Sequence, residues 1–271
     1  MQRIPILLYH SIASESSPRF RPWTVRPRRF QAHMEHLVRS GYDSLTLERV
    51  QEGLRPGGPS LPPRPVVITF DDGFADFHSA ALPVLETHRL ASTLYVATRY
   101  MGGTAGWLVR EKERERPMLS REQLHDVVER RVHVGAHSHT HPRLDELGAA
   151  RSRDEIERSK AILEDELQRP VTTFAYPHGC YSRRVRDQVI EAGYTSSAAV
   201  RHAMSSTDDD VFALARIMVL ADTTTEALDR LLTGDGLPQA PCRPRMRTAA
   251  WRAARRTRRV LTPAPEGAHV A

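Results

Sequence analysis

Val66-Val67-Ile68-Thr69-Phe70-Asp71-Asp72-Gly73 passes from an unbroken apolar, β-branched run straight into two carboxylates and a glycine. A continuous apolar run of this length, ended by a turn signal, describes a strand covered on both faces. Two further stretches repeat the arrangement: residues 132–136 lead into His137-Ser138-His139-Thr140-His141, and residues 172–175 lead into Tyr176-Pro177-His178-Gly179. Residues 4–9 end in the same way on His10. Polar clusters that follow separate buried strands can share one rim of a sheet.

Outward from these anchors, strand-like runs at 4–9, 66–70, 92–97, 132–136, 172–176, 195–200 and 214–219 alternate with helical patterns at 28–40, 75–88, 120–130, 149–167 and 182–192. Ser120 followed by Gln123 forms a capping-box pattern, and Gly41 and Gly193 stand where helices should stop. Alternation of this kind implies a mostly parallel sheet. Near-continuous apolar strands imply that both its faces are covered, as in a closed barrel. The expectation is therefore an α/β chain forming a TIM-like (β/α) barrel of about seven strands. The charged stretch 110–116 and the proline-rich stretch 55–65 are expected to be surface loops.

With 271 residues and 40% hydrophobic content, the chain can bury one sizeable core. Residues 1–235 are expected to form a single catalytic domain and residues 236–271 a Pro/Arg-rich tail. Eight arginines fall between Arg243 and Arg259, and Glu266 is the only acid after position 235, so the tail carries 8 − 1 = +7 of the net +6 and the rest is −1. A basic helix in this tail would suit an anionic membrane surface, with a solvated appendage as the alternative and no specific nucleic acid expected. Cys180 and Cys242 match no zinc or redox spacing. No run approaches the length that spans a bilayer, and no leader pattern opens the chain, so the expectation is a cytoplasmic protein, peripheral at the membrane if the tail engages it.

Zinc and similar cations favour imidazole and carboxylate ligands, commonly three from the protein at a catalytic site. Asp72, His137 and His141 supply that set, and His139 is expected to point elsewhere. Zinc heads the expected cations, with cobalt, nickel and manganese also compatible.

The Thr-Phe-Asp-Asp-Gly and His-Ser-x-x-His elements in combination resemble the polysaccharide deacetylase family, also called the NodB-homology or carbohydrate esterase family 4 group, over about residues 4–232. The resemblance implies a distorted (β/α) barrel and a metal-dependent hydrolase that removes N-acetyl groups from amino sugars of a glycan or glycan precursor. It further implies that Asp71 is the general base and that Asp72, His137 and His141 hold the metal. His178, through its backbone N–H after Pro177, is the expected oxyanion donor, within a Tyr176-Pro177-His178-Gly179 turn that also contacts substrate.

Two departures from the family pattern matter. No histidine occurs in residues 221–237, where members commonly carry the one that protonates the leaving amine. His10 is the expected replacement, because Leu7-Leu8-Tyr9-His10 resembles a rearranged, circularly permuted branch in which the acid enters from the N-terminus. Ala175 stands where many members have an arginine orienting the base. Arg216, in Leu214-Ala215-Arg216-Ile217, is the candidate for that task, a rim arginine being the alternative. Tyr176 could offer a flat surface to a sugar ring, a core position being its alternative, and Trp107 is expected to anchor a long loop, with a sugar platform as the second possibility. A metal-dependent amidase or deformylase acting on a small amide shares all these residues, and a non-catalytic glycan- or membrane-binding module would have no need of Asp71.

Overall fold

The computed structural model describes residues 2–240. Its barrel strands are β1 (Ile6–Tyr9), β2 (Pro65–Phe70), β3 (Ser92–Val96), β4 (Val132–Ala136), β5 (Thr173–Ala175), β6 (Ser196–Val200) and β7 (Leu214–Met218). Every neighbouring pair is parallel, and each strand lies beside the one that precedes it in the chain. The ring closes through β7 and β1, in the register Ile217↔Leu7 and Met218↔Leu8. All the strand expectations hold to within two residues.

Helices α1 (Pro27–Arg39), α2 (Leu47–Leu54), α3 (Leu82–Thr87), α4 (Arg121–Glu129), α5 (Ala149–Leu167), α6 (Arg183–Glu191) and α7 (Thr225–Thr233) surround the ring. The Ser120/Gln123 capping box is present. Gly41 and Gly193 follow their helices in the left-handed region, at φ +68° and +83°. No helix joins β6 to β7; the short strand Ser205–Ser206 pairs antiparallel with Arg3–Ile4 below the amino end of β1, and this omission distorts the barrel. Sequence reading missed α2 and α7.

The expected helix over 75–88 is interrupted. A π-type turn at Phe77–Ala81 precedes α3, where Pro83 lies in the first turn and has no N–H to donate. The 110–116 stretch is also more than a surface loop. Arg116 folds inward, its side chain 9% exposed, to pair with Asp76 and Glu113 and to lie over the Phe20 ring.

Strand alternation sorts the side chains. Val66, Ile68 and Phe70 of β2 face the main core under the helices, and Val67 joins Ile6, Tyr95, Ala175, Ala198 and Leu214 in a smaller cluster within the ring. Thr69 and Asp71 continue the inward face of β2, as Arg216 continues that of Leu214 on β7. A charged pair is thereby set inside the ring near its carboxyl end.

The Pro/Arg-rich tail beyond residue 240, with its expected basic helix and membrane contact, lies outside the described residues. Among the described residues, no helix is long and apolar enough to cross a membrane.

Candidate active site

The three loops quoted from the sequence meet at the carboxyl rim of the ring. His137 begins where β4 ends, and its N–H donates to the Val96 carbonyl at the end of β3 (2.9 Å). Its Nδ1–H donates to the Ala175 carbonyl at the end of β5 (2.8 Å), which fixes the tautomer and leaves Nε2 with a free lone pair. Nε2 of His141 lies 3.1 Å, and Nε2 of His137 3.5 Å, from the same Asp72 oxygen, Oδ1. The three donor atoms lie within 4.8 Å of one another, and all three residues are buried.

This donor set fits a divalent cation. Asp72 Oδ1 is buried and accepts no hydrogen bond, although two imidazole nitrogens point at it. Two neutral nitrogens and one carboxylate oxygen are borderline ligands of the kind zinc and neighbouring metals take. Burial holds His137 down, at about 4, against the opposing pull of Asp71 and Asp72, so the ring is neutral and ready to coordinate. Burial alone would push Asp72 up, but His141, then His10 and His137, outweigh it and the net direction is down.

Backbone geometry at the site is strained. Asp72, Ser138, His141 and His178 sit at φ 77°, 62°, 58° and 57°, a region costing a non-glycine residue about 1–2 kcal/mol. Hydrogen bonds hold the His137–His141 loop in that form. Ser138 Oγ accepts the His141 N–H (3.1 Å), and the carbonyls of Ser138 and His139 accept the N–H groups of Thr98 and Arg99 (3.3 and 2.9 Å). Glu155, buried on α5, accepts the N–H groups of His139 and Thr140 (3.0 and 2.7 Å). Sequence reading missed Glu155, which in one dimension is a charged position on a helix like many others.

His139 points away from the ligand cluster, its Nδ1 lying 2.9 Å from the Thr98 hydroxyl. Asp71, next to Asp72, turns into the ring and is clasped by Arg216, which is fully buried. Asp71 Oδ2 lies 3.6 Å from His137 Nε2, so the carboxylate borders the ligand cluster without belonging to it. Burial alone would raise the Asp71 carboxyl; Arg216 and then His137 reverse this, and the carboxylate form is favoured.

His10 follows β1 onto the same rim. Its Nδ1 is buried without a hydrogen-bond partner, and the ring lies within electrostatic reach of both Asp71 and Asp72. The chain just beyond it is pinned by Asp76, which accepts from the Ser11 hydroxyl (2.7 Å) and the Ile12 N–H (3.0 Å).

The turn after β5 divides the expected group. The His178 ring is at the surface and lies 4.7 Å, centroid to centroid, from the His141 ring. Tyr176 is corrected to a core residue: its ring is fully buried, stacked on Tyr181, and its hydroxyl donates to the Phe212 carbonyl (3.0 Å), so it offers a sugar no surface. Pro177 and Gly179 are buried too and shape the turn, with Gly179 packed against Val200. Trp107 anchors its loop against Phe74 and Tyr100, and its half-buried ring also lies 4.9 Å from that of His141, walling the cluster on that side.

A closed parallel barrel with a held carboxylate and a candidate three-ligand metal site on its carboxyl rim has the arrangement of a hydrolase. Residues 58–197 match the polysaccharide deacetylase family, and the chain belongs to it. YxkH of Bacillus subtilis (strain 168), assigned as a polysaccharide deacetylase, is 28% identical over 218 residues, which is 80% of this chain and 71% of that one. The poly-beta-1,6-N-acetyl-D-glucosamine N-deacetylase of Escherichia coli (strain K12) is 31% identical over 78 residues, 29% of this chain and 11% of that one. The Streptococcus pyogenes deacetylase PplD, solved in complex with acetate, has the same fold, with a TM-score of 0.73 at 24% identity over 85% of this chain and 98% of that one.

Proposed function

We propose that this chain hydrolyses the N-acetyl amide of amino sugars in a glycan or glycan precursor, using a divalent cation held by Asp72, His137 and His141. The observation that carries the reading is the convergence of those three ligand atoms within 4.8 Å, beside a second carboxylate that a buried arginine holds. Zinc is the cation we infer, from the pairing of neutral imidazoles with one carboxylate. When bound, such a cation lowers the pKa of a water and polarises the acetyl carbonyl.

The chain's own residues supply the rest. Asp71 accepts the proton of the attacking water, and its ionised form and fixed rotamer suit it to that task. The backbone N–H of His178 steadies the developing oxyanion. His10 delivers a proton to the leaving amine, which departs poorly as an anion; its place on the rim beside both aspartates supports this assignment. The named substrate of the Escherichia coli relative supports N-acetylglucosamine as the sugar.

Acetate release from N-acetylglucosamine oligomers, compared with release from small acetamides and formamides, tests the reading. The zinc-loaded protein should release acetate from the oligomer, and Asp71→Asn should stop turnover while keeping its zinc. Absence of acetate release from every amino sugar, with zinc, cobalt, nickel or manganese loaded in turn, would sink it.

A further inference from the structure

A cavity of about 450 Å3 opens between α5 and the loops that follow β3 and β4. None of Asp71, Asp72, His137 and His141 lines it. Arg99, Arg151 and Arg158 do, around a buried His139. Arg151 and Arg158 stand seven residues apart on α5, on one face of the helix, and Arg99 faces them from the loop after β3.

All three arginines are exposed, and among the described residues none has an ion pair or a side-chain hydrogen bond. Other arginines of the same surface are neutralised by carboxylates, Arg130 by Glu86 and Asp126, Arg153 by Glu157 and Glu191, and Arg186 by Asp210. The two carboxylates at the cavity leave it positive. Glu155 turns inward and spends its oxygens on the His139 and Thr140 N–H groups and the Thr140 hydroxyl. Asp154, exposed at the lip, pairs with none of the three guanidinium groups.

We propose that this cavity binds a phosphate-class oxyanion. Guanidinium forks match the oxygens of phosphate bidentately, and three unpaired forks lining one concavity give it the charge and the donors for such an anion. A water occupies roughly 30 Å3 of liquid, so the cavity exceeds what one inorganic phosphate fills and leaves room for a sugar esterified to it. Arg99 and Glu155 each bond through or to the backbone of the His137–His141 loop, which places the anion one layer behind the ligand cluster. The site stands on its own residues and holds whether or not the chain acts on glycans.

Isothermal titration calorimetry of the full chain tests it, with inorganic phosphate and, separately, glucose 6-phosphate as probes, ionic strength being held constant with chloride. Saturable binding is expected for both. Each of Arg99→Gln, Arg151→Gln and Arg158→Gln should weaken it about tenfold, and Asp72→Asn should leave it unchanged. Tighter binding of the ester would assign the site to a phosphorylated sugar, and equal or weaker binding would assign it to free phosphate. The proposal is overturned if binding does not saturate, survives the arginine substitutions, or vanishes in Asp72→Asn. Because the three arginines are exposed and unpaired, their variants should keep the wild-type melting temperature, which verifies that lost binding is not lost fold.

Discussion

Arg216 clasps Asp71 through two bonds, Nη1 to Oδ1 at 2.6 Å and Nη2 to Oδ2 at 2.7 Å, with neither side chain reaching solvent. The arginine reaches from β7 past β1 to the end of β2, and it also donates to the Thr69 hydroxyl and the Ala199 carbonyl, both at 3.3 Å. A guanidinium paired bidentately in this way fixes both the charge and the rotamer of its partner. Removing one member of such a buried pair strands the other without compensation.

Arg216→Lys, which keeps the charge but loses the planar fork, should lower kcat by about 10- to 100-fold while bound zinc stays stoichiometric. Arg216→Met should in addition lose about 3–5 kcal/mol of stability in urea unfolding. An unchanged kcat in the lysine variant would mean that Asp71 is oriented by something else.

Zinc added to metal-free protein should raise the melting temperature, by the equivalent of about 2.7 kcal/mol at a hundredfold excess over Kd. Asp72→Ala and His141→Ala each remove one of the converging donors, so the shift should disappear in both. Differential scanning calorimetry with and without zinc provides the measurement, and a shift that persists in these variants would place the cation elsewhere.

Gly179→Ala should cost about 2–4 kcal/mol. Gly179 has φ +65°, and an added Cβ would lie 2.5 Å from both the backbone N and the Cβ of Val200. Gly41→Ala is the control, since Gly41 has a similar φ of +68° with nothing within 4 Å, and it should cost only about 1 kcal/mol. Equal losses by chemical denaturation would remove the steric part of the argument.

His33 should make stability fall on the acid side. It is fully buried between the Tyr9 hydroxyl at Nδ1 and the Thr223 carbonyl at Nε2, both at 3.0 Å, and burial pushes its pKa down to about 4. An unfolded histidine titrates near 6.5, so between these values the unfolded chain binds a proton that the native chain refuses. The contribution is complete above about pH 6.5 and is lost as pH falls toward 4, to a total of about 3 kcal/mol. The pH dependence of urea unfolding should be shallower in His33→Gln by that amount, and identical curves would refute the assignment.

Much of the candidate site was legible because its residues directly follow strands whose apolar runs are unmistakable. Asp71 and Asp72 after β2, and His137 and His141 after β4, needed only the strand assignment to be brought to one rim. Tyr176 was misread because an aromatic beside a reactive turn looks the same in sequence whether it faces substrate or, as here, the Phe212 carbonyl. Arg116 was misread because a charged run predicts solvent, whereas Asp76 and Glu113 draw this one arginine inward. Nothing local to residue 155 marks it as the acceptor that holds the ligand loop.

The sequence by itself determined the strands, the helices with long periodic faces, the loops that carry carboxylate and imidazole, and the family. These are encoded in residues a few positions apart, where periodicity and turn chemistry act. Only the tertiary structure decided that Arg216 meets Asp71, that Glu155 braces the His137–His141 loop, and that three arginines line one concavity. Those partners are 145, 15 and as many as 59 residues apart in the chain, and they meet only because closing the ring and laying α5 across its rim bring distant segments together.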